Sequence, residues 1–187
     1  METGVQQALV DLARRGDEEA FADLARAVGD RLMAIAYRIL RDVNQAEDAV
    51  QHALVTAWRE LPQLRDDARF DAWLRRILVH ACYAEARRRR TWAANVRVLP
   101  TDGPAGRDDI AGVHERDQLE RAFRRVSPEQ SAIFVLHHYV GLSLPEVAEE
   151  LGVPLGTVKS RLHYATQTLR AALDADARTA PSTERLA

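Results

Sequence analysis

Apolar residues recur every three or four positions along most of this chain, and the strict alternation of a half-buried strand is absent. Val5 to Arg15 predicts a short amphipathic helix that stops near Gly16. Asp17 is placed to cap the next helix, and Glu18 and Glu19 suit the positive end of its dipole. Phe21, Leu24, Ala25 and Val28 then share one helical face, followed by Leu32, Ile35, Ala36, Ile39 and Leu40. Asn44 to Leu61 gives the clearest pattern. Ala46, Ala49, Val50, Ala53, Leu54, Ala57, Trp58 and Leu61 make one stripe, Asn44 with Glu47 resembles a capping box, and Pro62 marks the end.

After a polar loop, FDAWLRRILVHACYAEARRRR predicts a long helix from Phe70. Phe70, Trp73, Leu74, Ile77 and Ala81 face one way, while Arg76, His80, Tyr83 and Arg87 fall on another face. The pattern then breaks. Residues 100–109, PTDGPAGRDD, carry no apolar period and read as a flexible linker. Beyond them, Gln118 to Val126 predicts a helix. Ser127-Pro128-Glu129 opens another, and Ser143-Leu144-Pro145-Glu146 opens a third as a capping box. The fold class expected is all-α, with two small helical domains joined by a linker. Their bounds are 1–95 and 116–174, with the linker over 96–115 and a polar, disordered tail over 175–187.

LSLPEVAEELGVPLGTVKSRL has the layout of a helix-turn-helix. A helix over Leu144 to Leu151 ends at Gly152, which tolerates the left-handed conformation of a helix stop, and a second helix begins near Leu155. Val147, Ala148, Leu151, Val153, Val158 and Leu162 close a small core between them. Thr157, Lys159, Ser160, Arg161 and His163 project outward near the start of the second helix, the part that meets base edges in this motif. The plainer alternative is a helical hairpin with a charged face. The Gly turn, the small Ala148 and the outward polar set agree with each other against it.

Composition narrows the role. The formal net charge is −2, so any basic footprint for nucleic acid is local. The single cysteine, Cys82, excludes an intramolecular disulfide and sits within an apolar helical pattern, where a buried inert thiol is expected in preference to a redox sensor. No run approaches the roughly 18 apolar residues of a membrane helix, and the opening residues carry acids where a secretory signal would be apolar. A cytoplasmic location without membrane insertion is expected. No Gly-rich phosphate loop, HExxH or metal-ligand cluster is present, so neither an enzyme nor a metal or cofactor site is expected.

GLSLPEVAEELGVPLGTVKSRLHYA is similar to region 4 of bacterial sigma factors of the extracytoplasmic-function (ECF) family, and SPEQSAIFVLHHYVGLS fits the helix before it. NQAEDAVQHALVTAWREL and FDAWLRRILVHACYAEARRRR resemble the two helices of region 2 that meet polymerase and the −10 element. The resemblance runs from about Leu9 to Leu173. It implies core RNA polymerase as partner, through the clamp helices of the largest subunit and the flap, together with promoter DNA and an anti-sigma factor. By position, Asp48, Gln51, His52 and Arg59 would meet polymerase. Arg76, His80, Tyr83, Arg87 and Arg88 would face the −10 element, and the loop from Arg65 to Arg69 would lie where the family holds a flipped base. Thr157, Lys159, Ser160, Arg161, His163 and Tyr164 would read the −35 element. Aromatic and guanidinium planes suit unstacked bases, and the run Arg87 to Arg90 suits phosphates.

The chain departs from the family at several of these positions. It has His80 where Asn is frequent, Ala84 where Asp is frequent and His52 where Glu is usual. Tyr164 and Thr166 stand where arginines are common, which implies a weaker phosphate grip at −35. A sigma-like interaction protein without promoter activity is the alternative these departures raise. A free-standing helix-turn-helix repressor leaves the region 2 resemblance unexplained.

Overall fold

A computed structural model describes residues 3–95 and 121–179. Every regular element among them is helical: α1 (Thr3–Arg14), α2 (Glu18–Leu40), α3 (Val43–Glu60), α4 (Phe70–Asn95), α5 (Pro128–His138), α6 (Leu144–Leu151) and α7 (Leu155–Thr179), with short 3₁₀ turns at Leu61–Gln63 and Asp67–Arg69. The expected linker and the first three residues of the helix expected over Gln118 to Val126 lie outside the described residues; of the rest, residues 121–123 are helical and residues 124–126 form a turn into the Ser127 cap.

The helix starts follow local chemistry. Asp17 accepts from the Ala20 amide, while Ser127 and Ser143 each complete a reciprocal capping box with Gln130 and Glu146. Each such cap stabilises its helix by about 1 kcal/mol. One cap differs from expectation. Helix α3 begins at Val43, and Asp42, not Asn44, accepts from the Gln45 amide. Arg41 just before it takes the left-handed conformation, φ 54°, and closes α2. Two helices therefore meet at a corner with no intervening loop, which moves the cap two residues upstream. Gly152 ends α6 at φ 65°, ψ 34°, as the helix-turn-helix pattern requires.

Helix α3 packs against α2 and α4. Ala46, Ala49, Ala53 and Ala57 are fully buried, and their small side chains let three backbones approach closely. Leu24, Leu32, Ile35, Leu61, Leu74 and Leu78 fill the space around them. Phe21 of α2 and Trp58 of α3 pack with their rings tilted, centroids 4.9 Å apart. On α4 the buried face is Phe70, Leu74, Leu78, Val79 and Cys82, while Trp73, Ile77 and Ala81 are half-buried beside it.

Helices α5 to α7 form the helix-turn-helix. Val147, Leu151 and Val158 are buried, with Ala148, Val153 and Leu162 packed against them, as the spacing predicts. The far half of α7 belongs to a second cluster, in which Ala165, Leu169 and Ala172 cover Ala122, Phe123 and Val126. Helix α7 continues to Thr179, five residues into the stretch expected to be a disordered tail. Ala175 to Thr179 extend a hydrogen-bonded ladder already anchored by that cluster, so little nucleation cost opposes it.

The two halves share one core. Ile133, Leu136, Val147, Leu151 and Val158 are continuous with the buried residues of α1 to α4. Arg38 of α2 lies over the Tyr139 ring and Arg41 over the Phe123 ring, each at 3.8 Å. The sequence divides the chain into two domains. The structure packs those domains together.

Candidate nucleic-acid interface

Helix α3 buries its alanine stripe and turns the opposite side outward. Asp48, Gln51, His52 and Arg59 are all exposed on that side. They form a polar surface on a rigid helix, the arrangement that suits docking of a partner protein. His52 and Asp48 are not isolated. His52 Nδ1 lies 3.0 Å from Glu85 of α4, and Asp48 lies 3.8 Å from Arg88.

Helix α4 presents the second set. Arg76, His80, Arg87 and Arg88 are exposed, and Tyr83 is half-buried. His80 and Tyr83 meet edge to face at 6.1 Å. Partial burial, helped by the Arg76 charge, holds the His80 ring below its usual pKa, so the neutral imidazole is favoured. The Tyr83 hydroxyl is buried with no hydrogen-bond partner among the described residues, and burial pushes its pKa up. Arg161 of α7 and Glu129 of α5 are near enough to act on it electrostatically. A tyrosine expected to stack on DNA bases thus has its hydroxyl enclosed within the folded chain.

The third set sits on α7. Lys159, Ser160, His163 and Tyr164 are exposed at its start, while Thr157 and Arg161 are half-buried. The Ser160 hydroxyl donates to the Thr157 carbonyl at 3.0 Å. Thr166 donates to the Leu162 carbonyl at 2.9 Å, so this departure from the arginine pattern is spent on its own helix. Arg161 is half-buried, and its charge acts on the Tyr83 hydroxyl of α4.

Contacts that hold the two sets together escaped the sequence pattern. Arg75 of α4 binds Glu150 of α6 through two nitrogens, at 3.0 and 2.8 Å. Arg69, in the loop expected to hold a flipped base, binds Glu149 at 2.8 Å. Arg69, Arg75, Arg76, Trp73, Glu146 and Glu150 line a cavity of about 350 Å³ between the halves. A Cβ placed on Gly152 would come within 3.6 Å of the Arg76 guanidinium. No helical period relates residues so distant in sequence, and the charges of Arg75 and Glu150 alone read as solvated helix surface. Cys82 is buried, and burial pushes its thiol up to about 12, which fits an inert thiol. Among the described residues no His, Cys, Asp and Glu cluster could hold a metal ion, and no helix is long and apolar enough to cross a membrane.

Two family models match the chain in succession. The Sigma-70 region 2 family matches residues 24–92, and the Sigma-70, region 4 family matches residues 116–169. The ECF RNA polymerase sigma factor SigL of Mycobacterium tuberculosis is 34% identical over 165 residues, covering 84% of this chain and 93% of that protein. The RNA polymerase sigma-E factor of Streptomyces coelicolor is 32% identical over 174 residues, covering 91% and 97%. Among solved structures, the sigma factor RpoE in complex with the anti-sigma factor NepR from Bartonella quintana aligns with a TM-score of 0.66 at 26% identity, over 83% of this chain and 98% of that one. CnrH in complex with the cytosolic domain of CnrY aligns with a TM-score of 0.65 at 26% identity, over 92% and 99%. Two family regions in order, and relatives matched along nearly their whole length, place this chain in the family of ECF sigma factors of bacterial RNA polymerase.

Proposed function

We propose that this chain is a promoter-specificity subunit, which binds core RNA polymerase and directs initiation at −35 and −10 elements. The observation that carries the reading is that three polar surfaces stand on three helices of one helical scaffold, each turned away from that helix's buried face. Asp48, Gln51, His52 and Arg59 on α3 dock on polymerase. Arg76, His80, Tyr83, Arg87 and Arg88 on α4 hold the melted −10 strand. Thr157, Lys159, Ser160, Arg161, His163 and Tyr164 on α7 read −35. The domain bounds of 1–95 and 116–174 belong to the same proposal. The chain performs no chemistry in this role and acts in the cytoplasm with polymerase. Its net charge of −2 suits a subunit, because the polymerase supplies the nonspecific grip on DNA.

The compact arrangement supports a second element of the reading. Arg75 of α4 is tied to Glu150 of α6, so the −10 and −35 surfaces are held on one packed body until the halves separate. An anti-sigma factor that binds both halves would hold them in such a state, and polymerase would draw them apart. Among the structural relatives, RpoE was captured with the anti-sigma factor NepR and CnrH with the cytosolic domain of CnrY.

Paired variants test the assignment of surfaces. Arg161→Ala should lower promoter-dependent transcription by about ten-fold or more, the usual worth of a bidentate base contact, with polymerase affinity unchanged. Asp48→Ala with Gln51→Ala should weaken polymerase binding first. If both variants behave as wild type in both assays, the surfaces are assigned wrongly.

A further inference from the structure

Glu85 is buried, 5% exposed, on a helix end rich in arginine. A carboxylate is kept from water only where partners replace its solvation. Its partners come from two helices. Arg88, one turn further along α4, donates from Nη2 to both Glu85 oxygens at 2.8 and 2.7 Å. His52 of α3 brings Nδ1 to 3.0 Å. The same Arg88 nitrogen lies 3.8 Å from Asp48. The anchor is buried, yet its partners are open. Arg88 is 62% exposed, His52 57% and Asp48 53%. Only Nη2 of the Arg88 fork is engaged among the described residues, so Nε and Nη1 remain for an acceptor outside the chain.

We infer that Glu85 is a positioning residue for Arg88, and that it joins the polymerase-facing side of α3 to the DNA-facing side of α4. This rests on the reading of Arg88 as a contact to the −10 strand. An arginine gripping phosphate normally loses rotamer freedom, and one already held at its far end has less to lose. Glu85 fixes the guanidinium at the seam of the two helices with its free N–H groups available to a backbone phosphate. Because His52 meets Glu85 and Asp48 meets Arg88, a partner docked on α3 acts on the same charge cluster that sets Arg88. His52 also finds its reason here. A carboxylate in its place would face Glu85 with like charge.

A double-variant cycle tests this, using polymerase holoenzyme and a promoter fragment recovered by run-off transcription, with its −10 segment left single-stranded. Arg88→Ala should weaken binding about five-fold, within the range of one contact in a shared network. Glu85→Gln should weaken it about three-fold. Glu85→Asp, which keeps the charge but withdraws it by one methylene, should fall between. In the Arg88→Ala background, Glu85→Gln should cost nothing more. If the two losses multiply, Glu85 acts elsewhere and the inference fails while the reading of Arg88 stands. If Arg88→Ala binds as wild type, that reading fails and the inference with it. Should Glu85→Gln not fold, Glu85→Asp carries the same cycle.

Discussion

Arg75 donates to both carboxylate oxygens of Glu150 across the junction between the N-terminal helices and the helix-turn-helix, and both side chains are nearly enclosed, 13% and 6% exposed. A fork-shaped pair of this geometry fixes orientation as well as charge. Arg69 and Glu149 repeat the contact nearby at the surface, where screening leaves it little weight. The enclosed pair is therefore the polar contact that specifies how the two halves meet, within an interface whose attraction is mostly apolar.

Glu150→Ala leaves the Arg75 charge enclosed without a partner. Breaking a buried pair from one side costs about 3–5 kcal/mol. The halves have their own helical elements, so the strain is relieved by separation before either half unfolds. Small-angle scattering should report a larger radius of gyration for Glu150→Ala than for wild type, with helical circular dichroism unchanged. An unaltered radius would mean that the apolar contacts alone hold the closed arrangement.

Acid should weaken the N-terminal helices through Asp71. Burial raises its pKa, but the Arg31 and Gln6 hydrogen bonds and the Arg31 charge outweigh it, and the net shift is downward from 3.8. The folded state thus binds this proton more weakly than the unfolded chain. The stabilisation is complete above the unfolded value and is lost as pH falls through the folded one. Asp42 is also shifted downward. Burial opposes this, while hydrogen bonds from Gln45 and the Arg89 charge prevail. Thermal melts across pH 2 to 6 should show a drop below about pH 4 that is smaller in Asp71→Asn. An identical acid limb in the variant would remove Asp71 from the account.

Cys82 should behave as an inert thiol. It is fully buried on α4, and desolvation pushes its pKa up to about 12. Its thiolate population near neutral pH is then negligible, and the thiolate is the reactive form. A disulfide reagent should label native protein slowly and denatured protein fast, with the native rate following the unfolding equilibrium. Rapid labelling of folded protein would place Cys82 at an accessible surface.

How much of this was legible from sequence varies with distance along the chain. Caps at Asp17, Ser127 and Ser143, the stop at Gly152 and the helix-turn-helix core are local rules, and each is met. The α3 cap was placed at Asn44 because its spacing to Glu47 fits a capping box. Asp42 competes for the same role, and the left-handed Arg41 decides between them. Periodicity along a helix reports neighbours three or four residues away. It cannot report Glu150 against Arg75 or His52 against Glu85, because those pairs depend on how helices cross. Glu85 carries no local mark of burial among the arginines around it, and the burial of the Tyr83 hydroxyl likewise depends on tertiary packing.

Run-off transcription tests the central claim most directly. Purified core RNA polymerase would be given fragments of the source genome with and without this chain. A sigma factor yields discrete new transcripts, their start sites preceded by a shared pair of upstream elements, and Arg161→Ala reduces them. Polymerase binding without any new transcript would contradict promoter direction and leave an interaction protein in its place.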